Sequence, residues 1–455
     1  MLATSGIKFV LSSIGSQGDL LPILGLAKAL VERGQRCLML GGSAVAARAA
    51  ALGVDYCAVA PVQTDNLVHW QEMFDRDIAP SYAPTFRAFQ HELQQGHDLV
   101  VVNRTNYSAT TLMCELYGLP LVRILLAPFE IRSCVEPPMP LRVPARGKLG
   151  TAFKRYQLPK IYDAIERDPH ALKGINAQRA ALGLTPISSL RQHEALVDHH
   201  IALFPAWYAT RASDWPALDA VGFPLPLAEG FLPRHIRQLI ADHGRPLVFT
   251  PGTAVRDVSS FFEQARRCCE RLGLPGVLLS PHHDARQLTP GGPIVHADFV
   301  DLASLLPHTR LLVHHGGIGT TARALEAGIP QIISPQAFDQ PDNGQRVADL
   351  GIGAVLDRSS LTGETLAAAA AALLGSAEVA RRLRSIARRM TSESGIDRAA
   401  DILVARFSAP GRVLTIAPPG SQPAHGTLRC SQRQRLTERE EARPLAELRP
   451  GEGLT

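Results

Sequence analysis

The apolar run Leu311-Leu312-Val313 leads straight into His314-His315-Gly316-Gly317-Ile318-Gly319-Thr320-Thr321, and no other junction restricts the fold as much. Ala322 to Ala327 then reads as helix, closed by Gly328 and Pro330. A strand, a glycine-rich turn and a helix start form an anion site. Glycine lets backbone and ligand approach closely, and the free N–H groups of the first helical turn point at the ligand. Two adjacent histidines and Thr320 add side-chain donors. This predicts a bound phosphate.

The rest of the chain repeats the same grammar. Ile7–Leu11 is strand-like, Gly15-Ser16-Gln17-Gly18-Asp19 a turn, and Leu20–Arg33 has helical periodicity ending at Gly34. Cys37–Leu40 reads as a second strand, 44–52 as a helix and 54–59 as a third strand. Leu99–Val102, Leu121–Leu125 and His200–Phe204 continue the sheet, the last as its final strand. After a Pro- and Gly-rich stretch the alternation resumes with Leu247–Thr250, a helix over Ser259–Leu272, and strands at 276–280, 311–314, 331–334 and 353–356. Helices are predicted over 366–374 and 377–390. Alternating strands and helices predict parallel sheets covered by helices.

The domain bounds that follow are 1–207, a connection at 208–230, a second domain at 231–407, and a tail at 408–455 without a sustained apolar face, expected to be disordered. At 455 residues the chain exceeds one ordinary core. Its 45% apolar and 20% charged residues fit a soluble enzyme, and a net charge of +5 argues little for nucleic acid. Seven cysteines without a CxxC pair read as buried thiols in a reducing cytoplasm. His282-His283-Asp284 reads as a surface turn, so no metal site is expected. The Pro-rich stretch from Glu136 to Lys160, carrying Arg142, Arg146, Lys148, Lys154 and Arg155, is read as a long loop and an amphipathic helix; it suits either a solvated connection or peripheral contact with anionic lipid at the inner membrane.

The two Rossmann-like halves, the His-His-Gly-Gly-Ile-Gly-Thr-Thr turn, the Gly328-Ile329-Pro330-Gln331 lead into a strand, and Asp339-Gln340 with Asn343 resemble a GT-B-fold nucleotide-sugar glycosyltransferase of the family 1 type. The resemblance runs over roughly residues 5–407. It implies two Rossmann-like domains facing across a cleft, the first binding acceptor and the second binding donor. Gly15–Asp19, Leu203–Tyr208, Asp214-Trp215-Pro216, Gly222-Phe223-Pro224 and Arg245–Thr250 look like the catalytic B chain of rhamnosyltransferase 1. That implies transfer of L-rhamnose from dTDP-rhamnose to a 3-(3-hydroxyalkanoyloxy)alkanoate.

The resemblance also assigns roles. His314, Gly316, Gly317, Gly319 and Thr320 would meet the donor diphosphate, with Thr250, Gly252 and Thr253 facing it from the other side. A donor aimed at the departing diphosphate lowers the barrier because it strengthens as charge develops. His315 is read equally as ligand contact or as structure. Asp339 and Gln340 would hold sugar hydroxyls, and Phe299 and Val300 mark the nucleobase region. Asp19, at the first turn after a strand, would be the general base in an inverting displacement needing no cofactor beyond the nucleotide sugar. Each has a bland counterpart: a buried imidazole for His314, a tight turn at Gly252, a helix N-cap for Asp19 and for Asp339.

Trp70, Phe74, Phe86 and Phe89 would face the cleft and favour a lipophilic acceptor, or be simple core. Alternative readings are a UDP-sugar transferase acting on a sterol, polyketide or carotenoid, a nucleotide-sugar 2-epimerase, and a non-catalytic transferase-like helper.

Overall fold

The computed structural model describes residues 7–60, 72, 74–105, 107–139, 141, 153–225, 230–252, 255–282, 291–390 and 394–408. Two parallel sheets organise them. The first contains β1 (Ile7–Ser13), β2 (Arg36–Gly42), β3 (Asp55–Ala60), β4 (Asp98–Asn103), β5 (Leu121–Leu125), β6 (His199–Ala202) and β7 (Leu218–Ala220), in the order β3-β2-β1-β4-β5-β6-β7. The second contains β8 (Leu247–Thr250), β9 (Gly276–Leu279), β10 (Ile294–Ala297), β11 (Leu311–His314), β12 (Gln331–Ile333) and β13 (Gly353–Val355), in the order β10-β9-β8-β11-β12-β13. All pairings are parallel, so both faces must be covered, and the central strands read as continuous apolar runs for that reason.

The order of each sheet positions the site. Connections run outward in one direction from β1 and in the other from β4, which leaves a crevice beyond the carboxyl ends of these neighbours. The second sheet has the same reversal between β8 and β11. The turns after β1, β4, β8 and β11 are therefore the places where ligands can be held.

An apolar cluster joins the two domains. Leu125, Ile131, Ala202 and Phe204 of the first sheet's layer pack with Ala322, Leu325, Ile333, Val347, Leu383 and Met390 of the second, around Tyr208, Trp215 and Phe223. The final helix, Gly395–Phe407, returns to the first domain. Its Ala399, Ala400, Leu403 and Phe407 enter the first core, and Arg33 pairs with Asp401 at 2.8 Å and Asp397 at 3.1 Å.

Several expectations are corrected in detail. His199–Ala202 is not the last strand of the first sheet, because β7 follows inside the 208–230 segment read as connection. β10 was not expected at all. The 44–52 helix divides into a 3-10 turn at Ser43–Val45 and a helix at Ala46–Ala51. Phe74, Phe86 and Phe89 are core residues of the first domain, not cleft aromatics. Trp70, Arg142, Arg146, Lys148, His283, Asp284 and the 409–455 tail lie outside the described residues. Among the described residues no helix is long and apolar enough to cross a membrane.

Candidate functional site

The turn after β11 is built as a cradle. Gly316 has φ 95°, a left-handed conformation, and a Cβ there would lie 2.7 Å from Ile333 and 3.0 Å from the Gln340 carbonyl oxygen. Gly317 precedes the helix Ile318–Ala327. The first intrahelical bond is donated by Thr321 N–H to the Gly317 oxygen, at 3.0 Å. The N–H groups of Ile318, Gly319 and Thr320 precede it, leaving helix-start donors for an anion. Gly319 is exposed and Thr320 partly so.

The two histidines have opposite surroundings. His314 is fully buried; its Nε2 lies 2.9 Å from Gln331 Oε1, and its Nδ1 accepts the Gly316 N–H at 3.1 Å. Both ring nitrogens are thus spent inside the protein. Burial, with His315 adding to it, pushes the imidazole down to about 3, so it is neutral, with its proton on Nε2 facing Gln331. As placed here, His314 braces the turn. His315 is the partly exposed one. Its ring stands between both glycine turns, 3.1 Å from a Cβ built on Gly252 and 2.7 Å from one built on Gly317. Burial holds it neutral as well, at about 4, against a hydrogen bond to the Thr250 backbone, while its Nδ1 has no hydrogen-bond partner.

Across from this cradle is the turn after β8. Gly252 has φ 98° and its N–H reaches Thr250 Oγ1 at 3.4 Å. Thr253 lies outside the described residues. Gln336 Nε2 donates to the Pro251 oxygen at 3.3 Å and ties this turn to the loop after β12.

That loop carries Asp339 and Gln340. Asp339 sits at the N-cap position of the helix Gln340–Asp349, yet its side chain caps nothing. Instead its Oδ2 accepts from Asn343 Nδ2 at 2.6 Å. Burial raises the carboxyl to about 6, with Asn343 and Arg104 opposing the rise and Asp19 and Glu130 adding to it. Gln340 Oε1 accepts the Gln336 and Ala337 N–H groups at 2.8 and 3.2 Å, so only its amide nitrogen is left for a ligand. Of the nucleobase pair, Phe299 is 71% exposed and Val300 is core.

The first domain contributes Asp19. It is not the N-cap of its helix, Gln17–Glu32; Ser16 is, and Asp19 is the third helical residue. Its Oδ2 accepts the Ser16 N–H at 2.8 Å and the Ser16 hydroxyl at 2.9 Å, the reciprocal half of a capping box. Its Oδ1 meets Arg104 Nη2 at 2.9 Å. Arg104, from the turn after β4, had no place in the sequence reading. Its signal is sheet order: the β1 and β4 turns are neighbours only once those strands pair. Asp19, Arg104 and Glu130 of the first domain and Asp339 of the second are close enough for their charges to act on one another.

Residues 280–405 match the family described as erythromycin biosynthesis protein CIII-like, C-terminal domain. The chain is 27% identical to glycosyltransferase GtfE of Amycolatopsis orientalis over 441 residues, covering 90% of this chain and 100% of that one. It is also 27% identical to the oleandomycin glycosyltransferase of Streptomyces antibioticus over 445 residues, covering 93% and 96%. Among solved structures, the glycotransferase of kitacinnamycin superposes with TM-score 0.70 at 21% identity, over 88% of this chain and 99% of that one. The spinosyn rhamnosyltransferase SpnG complexed with thymidine diphosphate superposes with TM-score 0.58 at 18% identity, over 88% and 100%. The fold is GT-B.

Proposed function

We propose that this chain, which groups with the GT-B glycosyltransferases of the family 1, EryCIII-like type, transfers a hexosyl group from a nucleoside-diphosphate sugar to a hydroxyl of a lipophilic acceptor. One observation carries the reading. An anion cradle is tied through Asn343 to the Asp339 carboxylate on the second domain, and the charge of Asp339 is felt with that of Asp19 on the first, where a donor and an acceptor would meet.

The diphosphate is assigned to the helix-start N–H groups of 318–320, to His315 and to the Thr250–Gly252 turn. A helix N-terminus favours an anion by about 0.3–2 kcal/mol. A neutral His315 has one N–H, which must turn from the Thr250 backbone to reach the diphosphate, and its value there grows as the leaving group gains charge. Asp339 and the Gln340 amide are assigned to sugar hydroxyls. Asp19 takes the proton of the acceptor hydroxyl as its oxygen attacks the anomeric carbon from the face opposite the diphosphate, which inverts the centre. One C–O bond forms, the sugar–phosphate bond breaks, and the electron pair leaves on the diphosphate. The nucleotide sugar is the only co-substrate this scheme requires.

The donor we favour is dTDP-L-rhamnose, on the strength of the segments that look like those of rhamnosyltransferase 1 and of the thymidine diphosphate complexed with SpnG. The acceptor we favour is a 3-(3-hydroxyalkanoyloxy)alkanoate, whose carboxylate would point away from Asp19, Glu130 and Asp339. A second reading, a polyketide-type aglycone, is favoured by the similarity to the oleandomycin glycosyltransferase. Incubation with dTDP-rhamnose or UDP-glucose and each acceptor, followed by mass spectrometry, tests all of this. A rhamnosylated hydroxyalkanoate is expected. A product only with the aglycone, or only with UDP-glucose, moves the assignment, and hydrolysis or transfer from neither donor ends it.

A further inference from the structure

Asp19 does not stand free in the cleft. Gly15, at φ 145°, lets the carboxylate fold back so closely that a Cβ there would lie 2.4 Å from Asp19 Oδ2. That oxygen is saturated by the backbone and hydroxyl of Ser16. Arg104 holds the other oxygen, from a side chain only 20% exposed.

The turn bearing Arg104 is itself braced. Asn103, fully buried, donates to Ser108 Oγ at 3.3 Å and Thr111 Oγ1 at 3.0 Å, and Ser108 Oγ donates to the Thr105 oxygen at 3.0 Å. Arg104 Nη2 also lies 3.8 Å from Glu130 Oε1. Glu130 is fixed in turn, its Oε1 accepting the Leu126 and Ala127 N–H groups at 2.7 and 3.0 Å. One guanidinium thus lies against Asp19 and near Glu130, and the charges of these two and of Asp339 act on it.

We propose that Arg104 is the positioning residue for Asp19: it fixes Oδ1, so that the remaining lone pair of Oδ1 can receive the acceptor's proton. This rests on the reading of Asp19 as base. The chemistry follows from the geometry. A carboxylate has about four lone-pair sites. Ser16 occupies those of Oδ2, and Arg104 takes one on Oδ1, so a single direction remains. Planar guanidinium also sets the angle of the carboxylate, which an ammonium does less well.

The test uses the full chain, hydrolysis of dTDP-rhamnose and UDP-glucose as the turnover readout, and calorimetric titration with dTDP and UDP as the binding readout. Arg104→Gln is expected to lower kcat by about a hundredfold, within the range of general-base effects. Donor KM and nucleotide affinity should stay within about threefold, because Arg104 is not in the diphosphate cradle. Arg104→Lys should recover about tenfold over the Gln variant, since charge returns without the planar fork. If the Gln variant does not fold, the same split between kcat and KM in Arg104→Lys decides.

A wild-type kcat in both variants, or a loss carried by KM and nucleotide affinity, overturns the proposal. Asp19→Asn separates the two levels. If it keeps turnover, the base reading falls and Arg104's role with it. If it is inactive while Arg104→Gln is unaffected, the role of Arg104 alone falls.

Discussion

Asn343 ties Gly316 to Asp339: its Nδ2 donates to the Gly316 oxygen at 2.9 Å and to Asp339 Oδ2 at 2.6 Å, while its Oδ1 accepts the Tyr208 hydroxyl at 3.1 Å. One fully buried amide thus links the glycine turn, the Asp339 carboxylate and the interdomain cluster. Asn343→Ala leaves three polar groups short of partners, and one such buried loss costs about 1–3 kcal/mol. Lower stability in urea and weaker donor binding are expected together. Asn343→Asp keeps the shape but sets an acceptor against two acceptors, so it should be at least as damaging. A variant that keeps wild-type stability but loses donor binding would show that the tie is not structural.

His314 and His315 should separate cleanly by experiment. His314→Ala removes a buried ring that braces Gln331 and the Gly316 N–H, so about 2–4 kcal/mol of stability is expected to go, with donor binding following from the damaged turn. His315→Ala should leave stability near wild type and lower kcat by about 10²–10³, the usual cost of losing one donor to developing charge. Urea unfolding and steady-state rates on both variants check this. The opposite pattern would return the diphosphate role to His314.

The reason these neighbours were not separable in sequence is the pleat. Successive side chains at a strand end point to opposite faces, and a histidine pair does not state which face is which. Other features were legible for identifiable reasons. β8, β11 and the helices Ser259–Leu272 and Ala377–Met390 have apolar runs bounded by Pro, Gly or a clear change of period. β7 and β10 are short edge strands with Asp219 or His296 inside, paired on one side only, and they left no pattern to read. Asp19 and Arg104 meet only because β1 and β4 are adjacent, and adjacency is a property of sheet order that local sequence does not state.

The Asp339 carboxyl gives a pH test with a defined sign. Burial raises it to about 6, above the ~3.9 of a free aspartate, so between these values the folded state holds a proton that the unfolded chain has released. The stability this confers is fully present below about pH 4 and is lost as pH rises through about 6. Asp339→Asn should remove that slope, so its stability relative to wild type should improve as pH goes from 4 to 7. Donor affinity should run the other way in wild type. The ionised carboxylate is the better acceptor for sugar hydroxyls, so affinity rises through pH 6, whereas the Asn variant stays flat. Urea midpoints and donor titrations at several pH values read both. A wild-type slope retained in Asp339→Asn would assign the titration elsewhere.

Phe338 is the one non-glycine with positive φ among the described residues, at 56°, and its ring is 52% exposed. It sits in the loop that Gln340 Oε1 closes on Gln336 and Ala337, directly before Asp339. A left-handed conformation costs a residue with Cβ about 1–2 kcal/mol. An exposed ring held there does nothing for the core, and strain of this kind concentrates at functional sites. Phe338→Gly should relieve the strain and give up about as much in unfolded-chain freedom, leaving stability within about 1 kcal/mol of wild type. The KM for donor or acceptor should rise by about tenfold if that strain serves the loop that carries Asp339. Thermal unfolding and steady-state kinetics decide. Unchanged KM values for both substrates would leave Phe338 as a surface residue with no part in the cleft.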